Sequence, residues 1–194
     1  MALTVYTAGE VLTALSLNDN FTVAAGAGGL TFVTSGTFTT SALVNIDGCF
    51  TSTYRNYRVI VDITATTGAG GQVIATQLRA SGTAASGANY NYARSGYSYA
   101  GAVQADVGTG GTYFFINRSN GSGSAGGASS TSVDYNAPQL AQPTWITGTQ
   151  ADGLYQGTVG GYHDLSSAYD GFNIQTTTGA TTITGIYRVY GYKD

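Results

Sequence analysis

The stretch YRVIVDIT, residues 57–64, decides how the chain folds. Tyr57, Val59, Val61 and Ile63 recur at every second position and share one face, while Arg58, Ile60 and Asp62 share the other. Side chains alternate across a strand, so this spacing predicts a strand with one face in a core and the other partly covered. Comparable short runs lie on both sides of it: LTFVTS (30–35), FTTSALVNI (38–46), QVIATQLRA (72–80), YNYARSGYSYA (90–100) and TYFFIN (112–117). TSVDYN (131–136), TWIT (144–147), LYQGTV (154–159), FNIQTT (172–177) and IYRVYGY (186–192) follow. The connectors TGAGG (67–71), GTGG (108–111) and NGSGSAGGASS (120–130) are glycine-rich and supply positive φ at little steric cost. Many short alternating runs with almost no helical period predict an all-β fold: a β-sandwich of the jelly-roll type, with a closed barrel as the alternative.

Composition narrows the function. Of 194 residues, 42% are hydrophobic and only 9% charged, so solubility rests on Thr, Ser, Asn, Gln and backbone rather than on ion pairs. The net charge is -3, and the single lysine, Lys193, and the scattered arginines form no basic patch of the kind that binds nucleic acid. Cys49 is the one cysteine, which rules out an intrachain disulfide and suits a buried structural thiol. Nowhere do roughly 18 apolar residues run together, and the first residues lack the charged and apolar regions of a secretory signal, so no membrane insertion is expected. The 29 glycines would suit a disordered chain, but 15 tyrosines and seven phenylalanines argue for a packed one.

Residues 7–21 depart from the β pattern. Thr7 and Glu10 have capping-box spacing, Val11, Leu12 and Leu15 follow at helical spacing, and Leu17 and Phe21 form a further i, i+4 pair. A helix this short is marginal alone, so its apolar side needs a partner: the β domain, a sister subunit or another protein. AAGAGG (24–29) has the composition of a hinge, which divides the chain into an attachment segment, 1–29, and a β-sandwich domain, 30–194.

Catalytic signals are thin. His163 is the only histidine and lies in GGYHDLSSAYDG (160–171) beside Asp164, Ser166 and Ser167, but adjacency in sequence is not triad geometry. One His and one Cys fall short of a zinc ligand set, and the glycine runs lack the lysine of a phosphate cradle, so no metal or cofactor is expected. Asp134, Asp152, Asp164 and Asp170 could pair for glycoside hydrolysis, yet YDG and ADG point to turn capping through Asx hydrogen bonds. No catalytic residue is therefore assigned.

Recognition chemistry remains. Tyr90, Tyr92, Tyr97 and Tyr99 alternate with Asn, Ala, Ser and Gly, a mixture like that of antibody paratopes, and aromatic faces also stack on sugars. The alternative puts one register of these tyrosines in the core and the other against a neighbouring subunit. Trp145 carries the same ambiguity and is expected in the core. In IYRVYGY, Tyr187, Val189 and Gly191 fall on one face and Ile186, Arg188, Tyr190 and Tyr192 on the other, so Tyr190 and Tyr192 are expected at a subunit interface.

Three stretches together carry a resemblance: YTAGEVLTALSLNDNF (6–21), then YRNYRVIVDI (54–63) with QLRASGTAASGANYNYA (77–93), and AYDGFNIQTTTGATTITGIYRVYGY (168–192). They resemble bacteriophage virion structural proteins of the tail fibre, head fibre and decoration type, common in phages of marine and cyanobacterial hosts; residues 101–160 carry none of the likeness. The resemblance implies a non-enzymatic protein on the virion surface, attached to other virion proteins through Val11, Leu12, Leu15, Leu17 and Phe21 and assembled as a homotrimer. It also implies a displayed β-sandwich that contacts host surface polysaccharide. LRASGT (78–83) would be a strand-to-turn element in which Arg79 meets an acid or a carbonyl. A shell-stabilising decoration protein and a polysaccharide depolymerase using Asp164 and Asp170 are the alternatives.

Overall fold

The computed structural model describes residues 29–67, 71–120, 127–178 and 181–193. The expected helical segment, with Val11, Leu12, Leu15, Leu17 and Phe21, and the hinge up to residue 28 lie outside the described residues. Within them the chain forms strands β1 (Gly29–Ser41), β2 (Leu43–Ile46), β3 (Asn56–Thr66), β4 (Gly71–Ala80), β5 (Thr83–Ala84), β6 (Tyr90–Ser98) and β7 (Val103–Gly111). Strands β8 (Phe114–Asn120), β9 (Ser129–Asn136), β10 (Thr144–Asp152), β11 (Tyr155–His163), β12 (Gly171–Thr176) and β13 (Ile183–Lys193) complete the order. An eight-stranded sheet runs β1-β13-β3-β9-β10-β11-β6-β7, and a smaller one runs β2-β12-β4-β5 with β8 also paired to β4. All pairings are antiparallel, and both sheets feed one core, as in a β-sandwich. No helix among the described residues is long and apolar enough to cross a membrane.

Strand β3 shows the alternation read from its sequence. Tyr57, Val59, Val61 and Ile63 are buried, while Arg58 and Asp62 point outward and pair with Asp134 and Arg188. Ile74, Leu78, Phe172 and Ile174 are buried on the smaller sheet. Phe50 joins the layers, its ring centroid 4.8 Å from Tyr57, 5.3 Å from Tyr135 and 5.6 Å from Phe172. Each such side chain, fully buried, contributes about 1.5–3 kcal/mol. Cys49 sits in this cluster, and burial pushes its thiol up to about 12, which keeps it protonated and unreactive.

Two of the expected elements are drawn differently. The run at 38–46 is broken at Ala42, where the chain leaves the large sheet after β1 and enters the small one as β2. The bend is local: the register shifts between Phe38 and Ser41, and Thr40 takes a φ of 47° with its N–H bonded to Thr184 Oγ1 at 3.1 Å. GTGG at 108–111 is the end of strand β7 rather than a connector. A Cβ on Gly108 would lie 2.5 Å from the Tyr92 ring, so glycine is there for close packing.

The closing run IYRVYGY sits inside the large sheet, between β1 and β3. Val189 is buried, and Gly191 lies where a Cβ would meet the Tyr54 ring at 2.2 Å. Arg79 meets both an acid and a carbonyl: its Nε donates to Asp47 at 2.7 Å and its Nη2 to the Gly82 carbonyl.

Buried tyrosine hydroxyls tie the sheets to each other. Tyr135 bonds Thr76 across the core at 2.9 Å. Tyr90, the first residue of β6, accepts the Leu78 N–H of β4 at 3.0 Å and donates to the Ala85 carbonyl at 2.7 Å. A Tyr90→Phe substitution leaves that amide and carbonyl unpaired in the core. It should lower stability by roughly 1–3 kcal/mol, read as a lower urea midpoint at unchanged m-value; an unaltered midpoint would show that the tie carries no load.

Candidate functional site

The half of the large sheet formed by β10, β11, β6 and β7 presents one uninterrupted outward face. Its inward side is propped from within. Phe114 of β8 meets the Tyr90 ring edge-on at 4.8 Å, and the Arg94 guanidinium lies 4.2 Å from the Phe115 ring centre. Arg94 is almost wholly buried and donates to Asp106 at 2.6 Å and to Gln150 Oε1 at 2.8 Å, linking β6 to both β7 and β10. Arg118 of β8 reaches the other Asp106 oxygen at 3.1 Å. Removing one partner of a buried pair of this kind is strongly destabilising, so the cluster holds these strands in place.

Strand register sets what the outward face displays. Trp145 on β10 opposes Tyr162 on β11 and Asn136 on β9, and Tyr162 opposes Asn91 on β6. The Trp145 and Tyr162 rings lie 4.8 Å apart at 31°, and Trp145 is 53% exposed. Trp145 is therefore not in the core as expected. Thr144 and Ile146, its neighbours in TWIT, take the inward positions, and period two leaves the indole outside.

One step along the strands Thr147, Gly160, Ala93 and Val107 stand side by side, and a recess of about 400 Å³ opens over Gly160, Ala93 and Val107 next to Tyr162. Farther along, Thr149, Thr158 and Ser95 form a hydroxyl-lined strip within a second depression of about 670 Å³. Tyr97, 59% exposed, and Val103, 69% exposed, bound its far end. No outward position of these four strands is Asp, Glu, Lys, Arg or His. The outward ion pairs, Arg58 with Asp134 and Arg188 with Asp62, belong to β3, β9 and β13.

The tyrosines expected as one contact set divide between two faces. Tyr90 is fully buried and is not available as a contact residue, while Tyr92 packs against Phe115 and Gly108 and stays partly exposed at the edge of the recess. Tyr97 and Tyr99 are exposed, because the odd step from position 92 to 97 reverses the face in a strand. Tyr190 meets Phe32 edge-on at 5.9 Å. Tyr192 donates to Asp134 at 2.8 Å with Arg58 5.5 Å from its ring centre. Much of the cover over these two closing tyrosines thus comes from their own chain.

Three of the candidate catalytic carboxylates are engaged in structural hydrogen bonds. Asp152 Oδ1 accepts the N–H groups of Leu154 and Tyr155 at 2.7 and 2.8 Å, and Asp170 Oδ2 accepts that of Ser81 at 3.1 Å. Asp134 is held by Arg58. His163 is enclosed, its Nδ1 3.1 Å from the Tyr169 hydroxyl and its ring 4.4 Å from that of Tyr90. Burial holds the imidazole below its ordinary 6.5, against a smaller opposing pull from Asp164.

A histidine kept neutral in the fold makes the unfolded chain the stronger proton binder at mildly acid pH. Its contribution to stability is complete above about pH 6.5 and is lost as pH falls from there toward the lowered folded value, with a slope of at most about 1.4 kcal/mol per pH unit. Thermal unfolding should show that decline between pH 6.5 and 5, and His163→Phe should flatten it; an equal slope in the variant would assign the effect elsewhere.

Compared with protein-family models, curated proteins and solved structures, the chain matches none.

Proposed function

We propose that the chain is a non-enzymatic bacteriophage virion surface protein of the short-fibre or tail-fibre type. Its N-terminal segment, with Val11, Leu12, Leu15, Leu17 and Phe21, attaches to other virion proteins, and the sandwich is displayed toward the host surface as a homotrimer. The virion setting rests on the sequence resemblance. The binding role rests on one observation, the uncharged outward face of β10, β11, β6 and β7 with exposed aromatic rings at both ends.

A jelly-roll ancestry is part of the same proposal. The strand orders β1-β13-β3-β9 and β2-β12-β4-β8 support it, since the eight strands then divide between two four-stranded sheets, changing sheet at every step but β4 to β8, in the manner of paired Greek keys. On that reading β5 to β7 and β10 to β11 are insertions, and four of those strands extend one sheet into the displayed face.

If the protein meets the host, soluble full-length chain should compete with phage particles for adsorption, measured as a dose-dependent drop in adsorbed particles. Particles that adsorb normally without it, yet lose their genome on heating, would replace this reading with shell decoration.

A further inference from the structure

We infer that the Trp145–Tyr162 pair and the recess beside it form a binding site for an extended, neutral oligosaccharide, an inference that rests on the display reading above. The two rings stack on each other, Tyr162 half-buried and backing an indole that is 53% exposed, so the indole is the aromatic surface that meets solvent. A pyranose offers such a surface an apolar face of C–H groups, with hydroxyls at its rim. Amide groups flank the rings in the same ladder row. Asn91 Oδ1 accepts the Gly110 N–H at 3.2 Å, which leaves its own two N–H donors for a ligand, and Asn136 stands on the other side of Trp145.

Gly160 supplies an independent pointer. Glycines 148, 157 and 161 are demanded by packing, since a Cβ on each would fall 2.2, 2.1 and 2.5 Å from a neighbouring carbonyl oxygen. A Cβ on Gly160 would meet nothing closer than the Ile146 carbonyl oxygen at 3.7 Å, and its φ is not left-handed. Glycine inside a strand costs roughly 0.5–1 kcal/mol relative to alanine, and neither packing nor backbone requires it here. What it does is keep the floor of the recess open beside Tyr162, as expected where a ligand approaches a sheet closely.

Charge selects the ligand class. An acidic polymer or a nucleic acid would be met by Arg or Lys, and this face has neither at its outward positions. A protein partner would need roughly 800 Å² on this side with a clustered apolar centre, whereas the exposed Trp145, Val107, Val103 and Tyr97 are strung along the face with Thr147, Thr149, Thr158 and Ser95 among them. The site is long: Gln156, the β11 partner of Tyr97, lies six residues from Tyr162, so the two aromatic ends are about 20 Å apart. An oligosaccharide lying along β11 would touch both.

Trp145 is the only tryptophan in the chain, so its emission reports on this site alone. Full-length protein would be titrated with neutral gluco-, galacto- and manno-oligosaccharides from disaccharide to hexasaccharide, with a uronate oligomer as the charged comparison. The expected result is a saturable emission change with one neutral series, tighter for the longer members. Gly160→Val, which suits a strand and has room, should weaken binding at least about tenfold at an unfolding midpoint no lower than the parent's. Tyr97→Ala should erase the advantage of length. No response to any neutral series at concentrations of about 1 mM, a response to the uronate alone, or full binding by Gly160→Val would overturn the proposal. Host competition by parent and Gly160→Val alike would sink this site and leave the display reading standing. A sugar response without host competition would do the reverse.

Discussion

The hydroxyl of Tyr90 is the constraint on which the outward face of β10, β11, β6 and β7 depends. It sits at the start of β6 and bonds both the Leu78 amide and the Ala85 carbonyl, so β6 is pinned to β4 in the opposite sheet. Burial raises the pKa of the phenol, so it keeps the proton it donates. The same ring packs on Phe114 and His163, and these in turn back β8 and the end of β11. An unpaired amide or carbonyl in that core would cost more than the net worth of the bond, which makes the geometry close to all-or-none.

From that pin the large sheet divides its work. Strands β1, β13, β3 and β9 face the smaller sheet through aliphatic and aromatic side chains and keep their ion pairs on the outside. Strands β10, β11, β6 and β7 reverse the arrangement, with a buried arginine paired to a partly exposed aspartate inside and an uncharged face outside. Placing the charges beneath the sheet frees its outer surface for neutral contacts. It also explains how a chain with so few charged residues can be stiff along this face: Arg94 directs its donors to β7 and β10, not to solvent.

Much of the fold was legible because period two survives in the strands that matter. Tyr57 to Ile63 and the closing Tyr187 to Tyr192 announce both their pairing faces and their burial. The break at Ala42 was not legible, since it rests on Thr40 and a bond from Thr184, far away in sequence. Nor was β7, whose glycines imitate a turn while making room for Tyr92. The site was half visible. Tyrosines at 90, 92, 97 and 99 signalled recognition chemistry, but counting in twos from the core position of Tyr90 would already have separated Tyr97 and Tyr99 from the others. Residue type alone places Trp145 in the core, and only the competing claims of Thr144 and Ile146 for the interior reveal otherwise. Gly160 gives no sequence signal at all; its meaning appears only when the space above it is seen.

The central claim is that the face of β10, β11, β6 and β7 meets the host surface. Hydroxyl-radical footprinting of the full chain, with and without intact surface polysaccharide from the host, tests it most directly, because the exposed rings on both halves of the sheet are oxidisable. The account predicts that Trp145, Tyr162 and Tyr97 become protected while Phe32 and Leu43, exposed elsewhere on the molecule, oxidise as before. Protection of Phe32 and Leu43 with those three rings unchanged would contradict it.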